Sequence, residues 1–222
     1  MDIFQFISEN RGQCVALTLE HMEIVVFSVL LATLIAVPTG VSITRNEKIA
    51  KKVMNAANIL MTIPSIALFG LMLPILSLIG HGLGKVPAVI ALIAYSQLPI
   101  IRNTYVGIKN VPPELVDAGR GLGMTGWTRL KEIEIPLAIP VIIAGLRTAT
   151  VMNIGIAAIA AYIGAGGLGV FIQQGIARAY EEMIMTGAIM VSILAIIVDA
   201  GMALLENFVT PKGVKIGRKL RK

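Results

Sequence analysis

Arg147 and Asp199 are the two residues whose chemistry most needs explaining. Both sit well inside long apolar runs, and Glu206 follows near the end of the second run. A charge inside a membrane-length run is costly and usually faces a bundle interior, paired. Counted from the ends of their runs, Arg147 and Asp199 lie at matching depth. Matching depth leaves three readings open: an ion pair that locks two helices, an Arg147 that snorkels to the interface, or a role for both residues in a passage. The other reactive side chains form no set. His21 and His81 flank apolar runs with no Cys or acid at ligand spacing, and both read as surface histidines. Cys14 is the single cysteine, so no intrachain disulfide can form, and it reads as a small apolar filler. Gly84-Lys85 suggests a phosphate loop, but that motif needs an earlier glycine and a following hydroxyl where Ile79 and Val86 stand. The glycine-rich stretch 164–169 follows no strand and reads as a flexible turn. No catalytic residue, metal site or cofactor is expected on this chain.

The elements that must hold these residues are membrane spans. The chain has 222 residues, of which 56% are hydrophobic and 14% charged, against about 25% charged in a soluble domain. A crossing takes about 20 mostly apolar residues, and five stretches qualify: 22–44, 53–79, 86–105, 136–163 and 183–208. The net charge of +6 in a soluble protein would suggest nucleic acid. Here the basic residues flank the apolar runs, so they report orientation and no nucleic-acid partner is expected. Fifteen Lys and Arg fall in 45–52, in the third connection and in the tail at 209–222. Only Arg11, Lys85 and Arg178 fall on the other side. The basic side is expected in the cytoplasm, with the N-terminus outside and the C-terminus inside. The acidic leading flank of the first run (Asp2, Glu9, Glu20, Glu23) is the reverse of a signal peptide, so the run reads as a retained span. Pro38, Pro64, Pro74, Pro99 and Pro140 lie within the runs and are expected to kink them.

One polar segment stands between the third and fourth runs. Pro112-Pro113-Glu114 reads as a helix start, because Pro is tolerated in a first turn and acids suit the positive end of the dipole. A first short helix should end near Gly121. Gly119, Gly121, Gly123 and Gly126 suit a sharp turn. A second short helix should run from about residue 125 to 134, stopped by Pro136. On it Trp127, Leu130 and Ile133 fall on one apolar stripe that must be covered, either by a partner or by the membrane interface.

Asp117, Ala118, Gly119, Gly123, Ile133 and Pro136 carry a spacing that resembles the EAA loop of ABC transporter permeases. Asp117 stands where that family usually has Glu, and Gly119 where it usually has a second Ala. The resemblance implies two short cytoplasmic helices that dock on an ATPase, with ATP hydrolysed on that separate subunit. The run 62–70, which includes Pro64, Ser65 and Phe69, looks like a stretch of osmoprotectant-importer permeases, and 164–169 also recurs in the superfamily. Those systems carry glycine betaine, carnitine or choline. The implied partners are two ATP-binding subunits in the cytoplasm, an extracellular or periplasmic substrate-binding protein, a second permease subunit and the lipid bilayer. A bacterial or archaeal cell membrane is implied as the location.

A quaternary ammonium is best held by several aromatic faces, yet aromatic residues are 5% of the chain. Phe69, Tyr95 and Tyr162 are the few in or beside central spans, and with Pro64, Ser65, Arg147 and Asp199 they make up the candidate pathway. The expected architecture is a single all-α membrane domain over 1–222. It has about five transmembrane helices and a cytoplasmic coupling loop at 106–135. A permease for another small solute, such as methionine, remains an alternative. An ion-coupled secondary carrier has less support, because no internal repeat is evident.

Overall fold

The computed structural model describes residues 3–210, and every regular element among them is helical. A short helix α1 (Ile3–Glu9) leads into α2 (Arg11–Ile43), which carries Pro38 within it. Then come α3 (Glu47–Thr62), α4 (Ser65–Ser77) and α5 (Lys85–Lys109). The polar segment forms α6 (Pro113–Gly121) and α7 (Gly126–Arg129). Long helix α8 (Ile135–Ala160), short α9 (Gly169–Ala177) and α10 (Glu181–Val209) complete the fold. Four helical stretches are long and apolar enough to cross a bilayer, and the α3–α4 pair makes a fifth if counted as one bent span. The basic tail beyond Thr210 lies outside the described residues.

Helix α5 is the centre of the bundle. It packs against α2 on one side and α8 on the other, with α3 and α4 also touching it. Lipid tails are as apolar as leucine, so burying a side chain between helices gains little transfer energy in a membrane, and close packing must supply the association. The contacts fit that demand. On α2 the buried positions Val25, Ser28, Val29, Ala32, Ala36, Gly40 and Ile43 recur at helical spacing, and most are small. A Cβ on Gly40 would lie 2.6 Å from Cβ of Thr104 on α5. A Cβ on Gly145 of α8 would lie 2.6 Å from Asn103 Cβ and 2.9 Å from the Pro99 carbonyl oxygen. The buried Asn153 side chain of α8 donates to Ser96 Oγ at 2.8 Å, tying α8 to α5 by a polar contact as well.

The second expected span is not one helix. α3 and α4 meet at a bend of 97°. Ile63 and Pro64 are extended there, with ψ of 125° and 138°. The residue before a proline avoids helical ψ, and Pro64 has no N–H to continue the ladder. The break frees backbone carbonyls, and the Tyr95 hydroxyl on α5 donates to the Ile63 carbonyl at 2.6 Å. Phe69, 1% exposed, then plugs the core beneath the bend. The first span also differs from expectation. α2 begins eleven residues earlier than the apolar run suggested, so His21 sits within it and is fully buried.

Gly145 makes the tightest test of this packing. Gly145→Val forces a branched side chain against α5, and overpacking of that kind costs about 1–3 kcal/mol. We expect a lower apparent Tm in detergent for Gly145→Val. Gly12→Ala, with nothing within 4 Å of the added carbon, should match the parent protein. Equal melting of both variants would contradict the α5–α8 contact.

Candidate functional site

The loop between α5 and α8 is built by two caps and one π turn. Helix α6 ends in a Schellman motif: the Gly123 N–H bonds the Arg120 carbonyl at 2.9 Å and the Met124 N–H bonds the Gly119 carbonyl at 3.0 Å. The motif needs a left-handed residue, and Gly123 supplies φ +76°. Thr125 then opens α7, its hydroxyl accepting the Thr128 N–H at 3.2 Å. Gly119 is buried because α6 leans on the following segment. A Cβ there would lie 2.8 Å from Ile133 Cδ1 and 3.3 Å from Met124 Sδ. Small residue types at this position are thus a packing requirement.

The expected stop at Pro136 does not occur. α7 passes through a π turn, Leu130–Glu134, straight into α8, and the helical stretch Gly126–Ile163 is continuous over 38 residues. A proline inside a helix clashes with the carbonyl four residues back and lacks a donor. The wider turn carries the hydrogen-bond ladder up to the proline, because the Ile135 N–H reaches back five residues to the Leu130 carbonyl. The Arg129 and Glu134 side chains bridge the same turn at 2.9 Å, both mostly shielded.

This geometry divides the expected stripe. Leu130 turns inward and packs with Ile108, Ala138 and Ile142. Ile133 turns toward Gly119. Trp127 alone of the three stays out, 68% exposed. Leu115 and Leu122 join it as exposed apolar side chains of the loop. Sequence periodicity missed both, since Leu122 lies in the turn and Leu115 follows no stripe. Asp117 and Ala118 are also exposed. Asp117 pairs with Arg120 at 2.9 Å, a solvated pair of small energetic value. Behind the loop, toward the ends of α2 and α5, lies a cavity of about 730 Å³ bordered by Arg45, Lys109, Arg120 and Arg129 among others.

The opposite end of the bundle is latched by a second polar set. His21 is held between two backbones: a ring nitrogen, Nε2, bonds the Ile154 carbonyl at 3.0 Å, and Nδ1 accepts the Leu168 N–H at 3.2 Å. Those roles fit a neutral ring protonated on Nε2. The reading of His21 as a surface residue is thereby corrected, and His81 remains exposed. Glu20 accepts the Gly167 N–H at 2.9 Å, and Lys85 bridges Glu20 and Glu23 at 3.4 and 2.9 Å. The Gly84 N–H bonds the Ile163 carbonyl at 2.7 Å. The glycine-rich turn is therefore pinned, with Gly164, Gly166 and Gly167 at positive φ. Cys14 is buried against Phe6, Leu168 and Phe171, as a filler would be.

The candidate pathway residues are not gathered in one place. Phe69 and Tyr95 belong to the buried core around the α3–α4 bend. Pro64 is exposed at that bend and Ser65 half-buried. Tyr162 stands at the latched end, beside a cavity of about 590 Å³. Arg147 and Asp199 do pair: Nε and Nη2 of Arg147 donate to the two carboxylate oxygens, each at 2.6 Å. They lie in the half of α8 and α10 nearer the loop, and Glu206 joins at 3.7 Å.

Comparison with known proteins agrees with this architecture. Residues 28–211 match the family described as binding-protein-dependent transport system inner membrane component. The osmoprotectant import permease protein OsmW of Salmonella typhimurium is 51% identical over 97% of this chain and 100% of its own length. The glycine betaine/carnitine/choline transport system permease protein OpuCB of Bacillus subtilis is 47% identical over 95% and 94%. Among solved structures, an inward-facing MetNI methionine ABC transporter aligns with TM-score 0.78 at 24% identity, covering 86% of this chain and 94% of that one. At that identity the likeness speaks for the fold. With a bundle of this architecture, a family match over most of its length and relatives this near, the chain belongs to the inner-membrane permeases of binding-protein-dependent ABC transporters.

Proposed function

We propose that this chain is the membrane-spanning permease of an ATP-driven importer for a small osmoprotectant such as glycine betaine, carnitine or choline. Permeases of this family work with an ATPase and a substrate-binding protein. In the proposed assembly the permease pairs with itself or a homologue, two ATP-binding subunits sit below in the cytoplasm, and the binding protein docks above. ATP hydrolysis belongs to the separate subunits. The observation that carries the coupling role is the loop: Trp127 and Leu122 stand exposed on a capped turn whose second helix is continuous with α8. A push on Trp127 from an ATPase would be carried along one helix to Ile154 and Ile163, whose carbonyls hold the latch at the far end. The cargo reading rests on the names of the two relatives above. The fold shared with the methionine transporter keeps a permease for another small solute as the second reading. Family membership replaces the ion-coupled carrier.

The coupling role makes Gly123 the critical backbone position. A side chain with φ near +76° costs on the order of 1 kcal/mol or more and displaces α7. We expect Gly123→Val to reach the membrane in normal amount but to lose co-purifying ATPase and cargo uptake. Asp117→Lys should do so more weakly. Normal uptake with full ATPase retention in Gly123→Val would remove the loop from the mechanism.

The charge bias supports a topology with the loop end inside the cell. Buried Cys14 makes a poor reporter, so probes are needed at exposed positions. In a Cys14→Ala background, His81→Cys should react with a membrane-impermeant maleimide in intact cells, whereas Lys51→Cys should react only after permeabilisation. The reverse pattern would invert the topology.

Cargo is settled by uptake. The permease, expressed with its ATPase and binding protein, should restore growth of a transport-deficient host at high salt when betaine, carnitine or choline is supplied. Uptake of methionine alone would overturn the cargo assignment and leave the permease assignment standing.

A further inference from the structure

We infer that the groove holding Arg147, Asp199 and Glu206 is a weak subsite for a trimethylammonium-type cation; this deepens the transport reading and rests on it. The groove is a cavity of about 550 Å³ on the face of α8 and α10, lined by Ala144, Thr148, Val151 and Met152 besides the three charged residues. Its volume is in the range of ordinary small-ligand sites. One positive and two negative side chains leave it with a net charge of −1.

The geometry assigns that charge. Arg147 commits Nε and Nη2 to Asp199, so these two neutralise each other as a bidentate pair. Arg147 Nη1 is 3.7 Å from Glu206 Oε2, beyond direct hydrogen-bonding distance. Glu206 is the carboxylate left outside that bidentate pair, at ion-pair distance from Arg147 and with its side chain only 17% exposed. The pair itself is open on this face, with Arg147 33% and Asp199 40% exposed. Charges at this depth are not left against lipid tails; they face water or another protein surface. In the proposed pair of permeases that surface is the passage between them.

The lining then selects the kind of cation. Hard ions such as Mg²⁺ and Ca²⁺ take six or more oxygen ligands. This groove offers one carboxylate without a direct hydrogen-bonded partner. The Thr148 hydroxyl is already bonded to the Ala144 carbonyl at 3.0 Å. The remaining walls are methyl, methylene and thioether groups. A bulky, weakly hydrated cation suits such walls, because its methyl groups need no oxygen donors. One carboxylate and no aromatic cage predict low affinity, which a passage requires so that cargo can leave.

The test uses the intact permease–ATPase complex in lipid nanodiscs without binding protein. Labelled choline and its neutral carbon isostere, 3,3-dimethylbutan-1-ol, are the two probes. Choline should bind more tightly than the isostere. Glu206→Gln should weaken choline binding about five- to tenfold, the loss of one nearby charge in a partly solvated site, and leave the isostere unchanged. Co-purification of the ATPase subunits with the permease reports whether the variant complex is assembled. Equal binding of both probes, or unchanged choline binding in an assembled Glu206→Gln complex, overturns the subsite. Uptake with binding protein tests the transport reading separately.

Discussion

Pro136 cannot donate a hydrogen bond, and the manner in which the chain accommodates that missing donor shapes the molecule. A break at this point would leave the loop as a separate hairpin on a flexible joint. The π turn at Leu130–Glu134 instead carries the helix through, with the Ile135 N–H taking the Leu130 carbonyl and the Arg129–Glu134 pair bracing the turn. Leu130 is drawn into the core with Ile108, Ala138 and Ile142. The exposed Trp127 is thus fixed to the same rigid element whose far end holds His21 and the glycine turn.

The surrounding helices make that element a member of a packed bundle. Small residues let α2, α5 and α8 approach closely, as association in lipid demands. The bend between α3 and α4 is stabilised by the Tyr95 hydroxyl, so a broken span costs no orphaned carbonyl at Ile63. α10 is less enclosed; none of its most apolar window is buried within this chain. It presents an open face beside the Arg147–Asp199 groove, as the proposed pairing of permeases requires. The two polar sets differ in kind. The latch around His21 is buried and backbone-directed, which suits a position that must be held. The groove is half-exposed and carries net charge, which suits a place where something passes.

Much of this was legible in the sequence. Hydropathy located the spans because a helix apolar all round has few alternatives outside a membrane. The positive φ of Gly123 followed from glycine spacing, while matching depth left the pairing of Arg147 and Asp199 open until the structure brought them together. What was not legible depended on tertiary partners. Pro64 and Pro136 are both prolines in apolar surroundings, yet one breaks its helix and the other does not. The difference lies in what surrounds each: Tyr95 receives the freed carbonyl at Ile63, while the π turn retains the ladder before Pro136. His21 looked like a surface histidine because its partners, the Ile154 carbonyl and the Leu168 N–H, are more than a hundred residues away. The stripe of Trp127, Leu130 and Ile133 was drawn for a regular helix, and a π turn rotates its last two members inward.

The central claim is that the exposed end of this continuous helix meets an ATPase. The most direct measurement is site-specific photo-crosslinking with a benzoyl-phenylalanine in place of Trp127, in membranes containing the whole transporter. The account predicts a covalent adduct between the permease and the ATPase subunit, lost when the same residue is placed at exposed Ile196, within the apolar span of α10 and away from the loop. Adducts to lipid alone at position 127, with an assembled and active transporter, would show that the loop lies in the membrane interface and would contradict the account.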